Sequence, residues 1–311
     1  QGNDEIKQER QKEFETGFDI GFLDGKIAFD ATYYNKRAFD LIFTQNVQPS
    51  TGFVQKVING GTLQNEGIEL GLTVVPFSSP NFRWNFRTAY WMNRAKMLEL
   101  DIPASNVGGF SNTLGSFRIE EGKSPTQIVG LDDIDEDGAN DGVFVLGNAE
   151  PMFQMNFVND FTIYKNISLN FTLHWKNKGD NINLSQFLND LGGTSHDYDS
   201  DANGNGVPDA LDRISTVGVS SRIFVQDASF LRLRDIGLYY TFSPNVLQSA
   251  FKGVVSGVKV GVSATNLFTI TNYDSYDPEV SNFGSAGFST NVEVTPYPSS
   301  RRMFFHINVD F

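Results

Sequence analysis

Cysteine is absent from this chain of 311 residues, which removes disulfide frameworks, thiol nucleophiles and thiolate metal sites at once. Basic residues are scarce: 24 Lys and Arg stand against 37 Asp and Glu, a net charge of −13. Nucleic acid needs a cationic surface and is excluded as a partner. Apolar runs are short, and none approaches the roughly 18 residues of a membrane-spanning helix. The polar opening Gln1-Gly2-Asn3-Asp4-Glu5 carries no signal-peptide pattern, so an exported protein would have its start missing or removed. There are three histidines, His174, His196 and His306, far apart and without metal spacing. No Gly-x-Ser-x-Gly elbow, phosphate loop or dinucleotide glycine pattern occurs. Acidic pairs arise too easily in so acidic a chain to nominate a glycosidase dyad, and no enzyme is expected.

What the chain does have is phenylalanine, 28 of them beside 10 Tyr and 3 Trp, together with period-two alternation. In the last stretch Met303, Phe305, Ile307, Val309 and Phe311 point one way and Arg302, Phe304, His306, Asn308 and Asp310 the other. That is a strand with one apolar and one mostly polar face. The same rhythm recurs in Phe14 to Phe22, Ile27 to Tyr33, Ile68 to Val74, Phe82 to Tyr90, Phe153 to Ile163, Leu169 to Trp175 and Val258 to Ala264. Between Phe230 and Phe242 the alternation slips near Arg234-Asp235, as at a β-bulge.

Connections alternate too. Short turns at 24–25, 78–81 and 165–166, and a slightly longer one at 244–254, separate long polar loops at 45–60, 101–150, 180–222 and 271–298. A soluble domain seldom holds several loops this long. A transmembrane barrel puts short turns at its periplasmic rim and long loops outside. The expected fold is therefore all-β, an antiparallel transmembrane β-barrel contributing about nine strands, with Ile68, Leu70, Leu72, Phe171, Leu173, Trp175, Phe305, Ile307 and Val309 facing lipid. Nine strands leave two open edges in lipid, so further strands are expected from an upstream part of the polypeptide or from another chain.

Several phrases carry a family resemblance. Glu13-Phe14-Glu15-Thr16-Gly17-Phe18-Asp19, Tyr33-Tyr34-Asn35-Lys36, Asp40-Leu41-Ile42, Asn65-Glu66-Gly67-Ile68-Glu69-Leu70 and Leu146-Gly147-Asn148-Ala149-Glu150-Pro151-Met152-Phe153 form one part of the set. Ala228-Ser229-Phe230-Leu231-Arg232-Leu233-Arg234-Asp235, Asn266-Leu267-Phe268 and Tyr276-Asp277-Pro278-Glu279-Val280 complete it. In this order they resemble the carboxy-terminal barrel of SusC/RagA-type TonB-dependent transporters. The resemblance implies a barrel of roughly 22 strands in the outer membrane of a Gram-negative bacterium, of which residues 1–311 are the carboxy-terminal portion. It further implies an amino-terminal plug outside this chain, energy coupling through TonB, a SusD-like surface lipoprotein as lid, and import of glycans or peptides. An aromatic terminal residue, here Phe311, is what the barrel-assembly machinery typically reads.

Two loops carry metal-ligand spacing. In Asp201-Ala202-Asn203-Gly204-Asn205-Gly206-Val207-Pro208-Asp209-Ala210-Leu211-Asp212, oxygen donors fall at EF-hand positions 1, 3, 5, 9 and 12. Gly206 takes the sharp-turn position and Val207 offers its carbonyl at position 7. A structural Ca²⁺ held by Asp201, Asn203, Asn205, Val207, Asp209 and Asp212 is expected. The run Asp133-Ile134-Asp135-Glu136-Asp137-Gly138-Ala139-Asn140-Asp141 offers Asp133, Asp135, Asp137 and Asp141 at the same spacing, but position 12 would be Phe144, which cannot ligate. A structural turn is the other reading of that run.

His174 and His306 lie on polar strand faces and read as solvated, lumen-facing side chains. Loop aromatics Phe110, Phe117, Phe187, Tyr198, Tyr273, Tyr276 and Phe283 could stack on sugars, pack the loops or face a partner. Two alternatives to an importer share the alternation. One is a secreted Ca²⁺-binding β-sandwich adhesin or glycan-binding module, and the other is a passive porin.

Overall fold

The computed structural model describes residues 3–282 and 290–311. Nine long strands form one antiparallel sheet: β1 (Arg10–Phe22), β2 (Ile27–Phe39), β3 (Gly61–Ser78), β4 (Phe82–Leu100), β5 (Pro151–Ile163), β6 (Ile167–Lys178), β7 (Phe230–Thr241), β8 (Gly257–Thr265) and β9 (Arg302–Asp310). Each pairs with its neighbour in sequence, and a short strand, Thr269–Thr271, pairs beside β7. The meander leaves β1 and β9 as its two edges.

Register keeps the faces separate. On one face Ile20 stands opposite Phe29, Phe29 opposite Leu72, Leu72 opposite Thr88, Thr88 opposite Phe157, Phe157 opposite Leu173, and Leu173 opposite Leu233. One residue away the row on the other face reads Asp19, Asp30, Gly71, Ala89, Asn156, His174, Arg232. A one-residue slip in any pair would exchange these sets, so the pattern fixes the pairing. The expected slip in β7 is a bulge: Thr172 pairs Asp235 while Leu173 pairs Leu233, leaving Arg234 as the extra residue. It returns Ile236 and Leu238 to the apolar face.

Among the described residues nothing packs on the apolar face. Phe14, Phe18, Phe22, Trp175, Leu238, Val262 and Ile307 are all exposed, and Phe305 reaches 87%. A sandwich would bury this face against a second sheet, so the adhesin alternative is overturned by the fold. Rings cluster in two belts on that face. Phe82 and Trp84 meet Phe161 near the short turns, and Tyr90 and Trp175 meet Phe153 near the long connections. Eight residues of β5 separate the belts, about 26 Å along the strand or about 20 Å of height at barrel tilt. That matches a bilayer-facing band between aromatic girdles.

The short connections cluster at one end. Leu23, Asp24 and Gly25 all take left-handed backbone to close the first, and the 244–254 connection, expected as a turn, contains helix α3 (Pro244–Phe251). All four long connections emerge at the other end, and they correct the expectation of plain loops. Ile42–Asn46 pairs with Gln55–Asn59 as a hairpin. Ser105–Gly109, Ser116–Ile119, Gln127–Asp132 and Gly142–Asn148 form a four-stranded sheet. Asp180–Asn183 pairs with Val225–Asp227 and, in parallel, with Val292–Glu293. Helices α1 (Leu184–Leu191) and α2 (Asp209–Ser215) lie between them. The buried cluster Phe117, Ile128, Ala149, Ile182, Leu184 and Val292 belongs to these connections. This hydrophobic cluster therefore lies in the cap that the long connections build, while the apolar face of the long sheet stays exposed.

Candidate functional site

The inner face and the cap meet at Arg232. This side chain rises from β7 and is nearly fully buried. It donates to Asp277 at 2.5 Å and to Glu279 at 2.6 Å. Arg234, the bulge residue, also pairs with Glu279 and donates through Nε to His174 Nδ1 at 3.0 Å. The other ring nitrogen of His174 lies 3.2 Å from Gln154 Oε1. The ring packs between Trp91 and Phe230 and is 9% exposed. The expectation of a solvated His174 is thus corrected: Trp91 and Phe230 cover the ring and the bulge arginine takes its ring nitrogen. His306 does lie open on the inner face, hydrogen-bonded with Ser263. Arg232, Arg234 and Lys176 all stand over the Phe230 ring, a buried face offered to three cations.

The two acidic runs fold into one shape. In the first, Asp201 accepts from the amides of Asn205 and Gly206, Asn205 Oδ1 from Val207, and Asp209 from Ala202. In the second, Asp133 accepts from Asp137 and Gly138, Asp137 Oδ1 from Ala139, and Asp141 from Ile134. Left-handed backbone falls at the same two positions of each, Gly204 and Gly206 against Glu136 and Gly138. Asn203 and Asn205 donate through Nδ2 to Asp212 at 2.9 and 2.7 Å, which brings the position-12 carboxylate to the loop centre. Among the described residues, one group of three carboxylates has oxygens within 4.8 Å of one another: Asp133, Asp135 and Asp141. Asp137, expected as a fourth donor there, stands outside that group.

The first turn is tied through α2 and the second through the segment that follows it. Arg213 bonds Asp190 at 2.7 Å and Asp197 at 2.7 Å, joining α2 to α1 and to the approach of the 201–212 turn. Arg222 pairs with Asp132, Ser220 donates to the same carboxylate, and Asn140 donates to the Gly218 carbonyl. The guanidinium of Arg213 holds Asp197 below the usual carboxylate range, and that of Arg222 does the same for Asp132.

Of the loop aromatics, Phe117 is core, Phe187 packs on Phe224, and Tyr273 is buried with its hydroxyl accepting from Asn181. Phe110 and Tyr276 are exposed, Tyr198 is half-buried, and Phe283 lies outside the described residues. Tyr276 helps line a cleft of about 320 Å³ with Gln186, Asn189, His196, Asp197 and Asp274. Sequence reading missed this cleft, since its walls come from α1, the 194–197 turn and the segment after Thr271.

Known proteins share this architecture. Residues 1–267 match the family model described as TonB dependent receptor-like, beta-barrel. TonB-dependent receptor P3 of Formosa agariphila is 24% identical over 354 aligned positions, covering 99% of this chain and 35% of that protein. TonB-dependent receptor SusC of Bacteroides thetaiotaomicron is 24% identical over 351 positions, covering 99% and 32%. The structure of the RagAB peptide importer in its closed-closed state superposes with a TM-score of 0.73 at 20% identity, over 97% of this chain and 35% of that one. The chain therefore spans about a third of the length of these relatives. With a nine-strand meander of that fold and a match over most of its length, the chain belongs to the TonB-dependent receptor β-barrel family.

Proposed function

We propose that this chain is the carboxy-terminal wall and outer cap of a TonB-dependent importer in the outer membrane of a Gram-negative bacterium, taking up glycans or peptides with a SusD-like surface lipoprotein. The observation that carries the reading is the apolar outward face kept in register across nine strands, with all four long connections gathered at one end. In this reading residues 1–311 are part of one larger barrel, closed by strands and filled by a plug from upstream sequence. Lipid covers the outward face, TonB is engaged through the upstream region, and the barrel-assembly machinery reads Phe311. Uptake of labelled oligosaccharides and labelled peptides by cells carrying the full-length protein, with and without TonB, tests it. Import of one class that stops without TonB is expected. Equal uptake in both strains would make the protein a passive porin.

The acidic turns are proposed as structural Ca²⁺ sites. Asp201, Asn203, Asn205, Asp209, Asp212 and the Val207 carbonyl are hard oxygen donors in the required order. The Asn203 and Asn205 amides, whose Nδ2 groups now point at Asp212, would present their oxygens after rotation. Asp133, Asp135 and Asp141 gather three carboxylates whose mutual repulsion a cation would relieve, with Asp137 at the rim. The cation would brace the cap, a structural role.

A further inference from the structure

Above the apolar band the outward face carries a second row of a different kind. Lys12 stands directly opposite Arg37, Arg37 opposite Gln64, and Gln64 opposite Lys96. All three cations are exposed, and by alternation they share the face of Phe18, Tyr33, Ile68 and Met92. They sit four residues beyond Ile68 toward the long connections, about 13 Å along the strand. Like charges placed directly opposite repel, and among the described residues no carboxylate forms an ion pair with any of them. The nearby charges are otherwise engaged. Arg10 pairs with Asp40, Glu66 accepts from Asn35 and Gln64, and Arg94 donates to the carbonyls of Asn93, Pro151 and Met152. Lys12 stands 5.9 Å from the Phe39 ring centre.

We infer that Lys12, Arg37 and Lys96 bind the phosphate groups of an anionic glycolipid in the outer leaflet. Three points support that occupant. The row lies at headgroup height, directly above side chains that meet acyl chains. Neighbouring strands are about 4.8 Å apart, so Lys12 and Arg37 can close on one phosphate while Lys96, two strands away, reaches a second. The Arg37 fork suits a phosphate bidentately. The inference rests on the membrane reading above.

The test uses the full-length protein in neutral detergent, with lipid A, dephosphorylated lipid A and inorganic phosphate as separate probes. Each near-surface cation is worth roughly a factor of five in affinity for an anionic lipid surface. The K12Q/R37Q/K96Q variant should therefore bind lipid A on the order of a hundredfold more weakly. Lys36→Gln, on the inner face of β2, should bind as wild type. The charge-keeping K12R/R37K/K96R variant should retain binding, and Arg37→Gln alone gives the intermediate loss should the triple variant not fold. Undiminished lipid A binding by the neutralised row would overturn the inference, as would equal binding of dephosphorylated lipid A. Competition by millimolar inorganic phosphate as effective as lipid A would make this a free-anion site and overturn it too. Wild-type protein recovered outside the outer membrane would overturn the importer reading itself, which separates the two failures.

Discussion

Arg232 and Asp277 meet at 2.5 Å with both side chains almost wholly buried, 3% and 4% exposed. The first stands in the barrel wall and the second in the cap. Each belongs to one of the phrases on which the family resemblance rests, and the contact clamps the two together across 45 residues of sequence. Glu279 is drawn into the same clamp from the other side.

Breaking that clamp should loosen the cap before it loosens the wall. Removing one partner of a buried pair typically costs about 3–5 kcal/mol because the other charge is stranded. Glu279 remains beside Arg232, so Asp277→Ala is expected near the lower end, about 3 kcal/mol. Proteolysis of the full-length protein should then cut within 271–298 while the barrel stays heat-modifiable. A cap as resistant as wild type would show that the pair holds nothing.

Substitution at adjacent residues of β6 reads the two faces directly. Leu173→Arg puts a charge on the outward face and should cost about 2–4 kcal/mol near the bilayer midplane. Thr172→Arg, one residue away on the inner face, should cost much less. Unfolding in lipid vesicles measures both, and equal costs would contradict the assigned faces.

Trp84 donates its indole N–H to Asn159 Oδ1 at 3.1 Å, covering an amide that the β5 alternation points outward and leaving it 7% exposed. Trp84→Phe should strand that oxygen against hydrocarbon at a cost of about 1–3 kcal/mol. Adding Asn159→Leu should return most of the loss, since no polar group is then left unpaired. A double variant as unstable as Trp84→Phe would mean that ring size, rather than the hydrogen bond, is what counts.

Acid should release the cap's carboxylate ties in a defined window. Asp197 and Asp132 have lowered native values through Arg213 and Arg222. Their contribution is present above the unfolded carboxylate value of about 4 and is lost as pH falls through the lowered native values. Pepsin should spare the α1–α2 region at about pH 4 and cut it only further into acid. Arg213→Gln should make it cleavable throughout, and cleavage of wild type at about pH 5 would refute the window.

Calcium should protect the same region. Addition of millimolar Ca²⁺, against chelator, should slow proteolysis between residues 180 and 222 with an apparent affinity of about 10⁻⁴–10⁻³ M, as in extracellular modules. Asp201→Ala should abolish the effect there, and Asp135→Ala should abolish any effect around 133–141 only. Protection that survives both substitutions would place the ion elsewhere.

Period-two alternation is a local property, since successive side chains of a strand must take opposite faces whatever the partner. Phe14 to Phe22, Leu169 to Trp175 and Met303 to Phe311 therefore determined the wall and its outward face by themselves, and the slip between Phe230 and Phe242 located the bulge at Arg234. Loop lengths added which end is which, and the Asp, Asn and Gly spacing determined the shape of both acidic turns. The rest depends on residues far apart in the chain. Polar loop composition hid the hydrophobic cluster of Phe117, Ile182 and Val292, because its members come from three different connections. His174 looked solvated until Trp91, Phe230 and the bulge residue Arg234 closed around it, and Asp137 looked equivalent to Asp135 until the turn left it outside the carboxylate group. Lys12, Arg37 and Lys96 form one row only through the pairing of four strands. Backbone geometry makes a strand's faces legible one residue at a time, whereas burial and charge pairing are set by whichever distant segment arrives, and that only the tertiary structure decided.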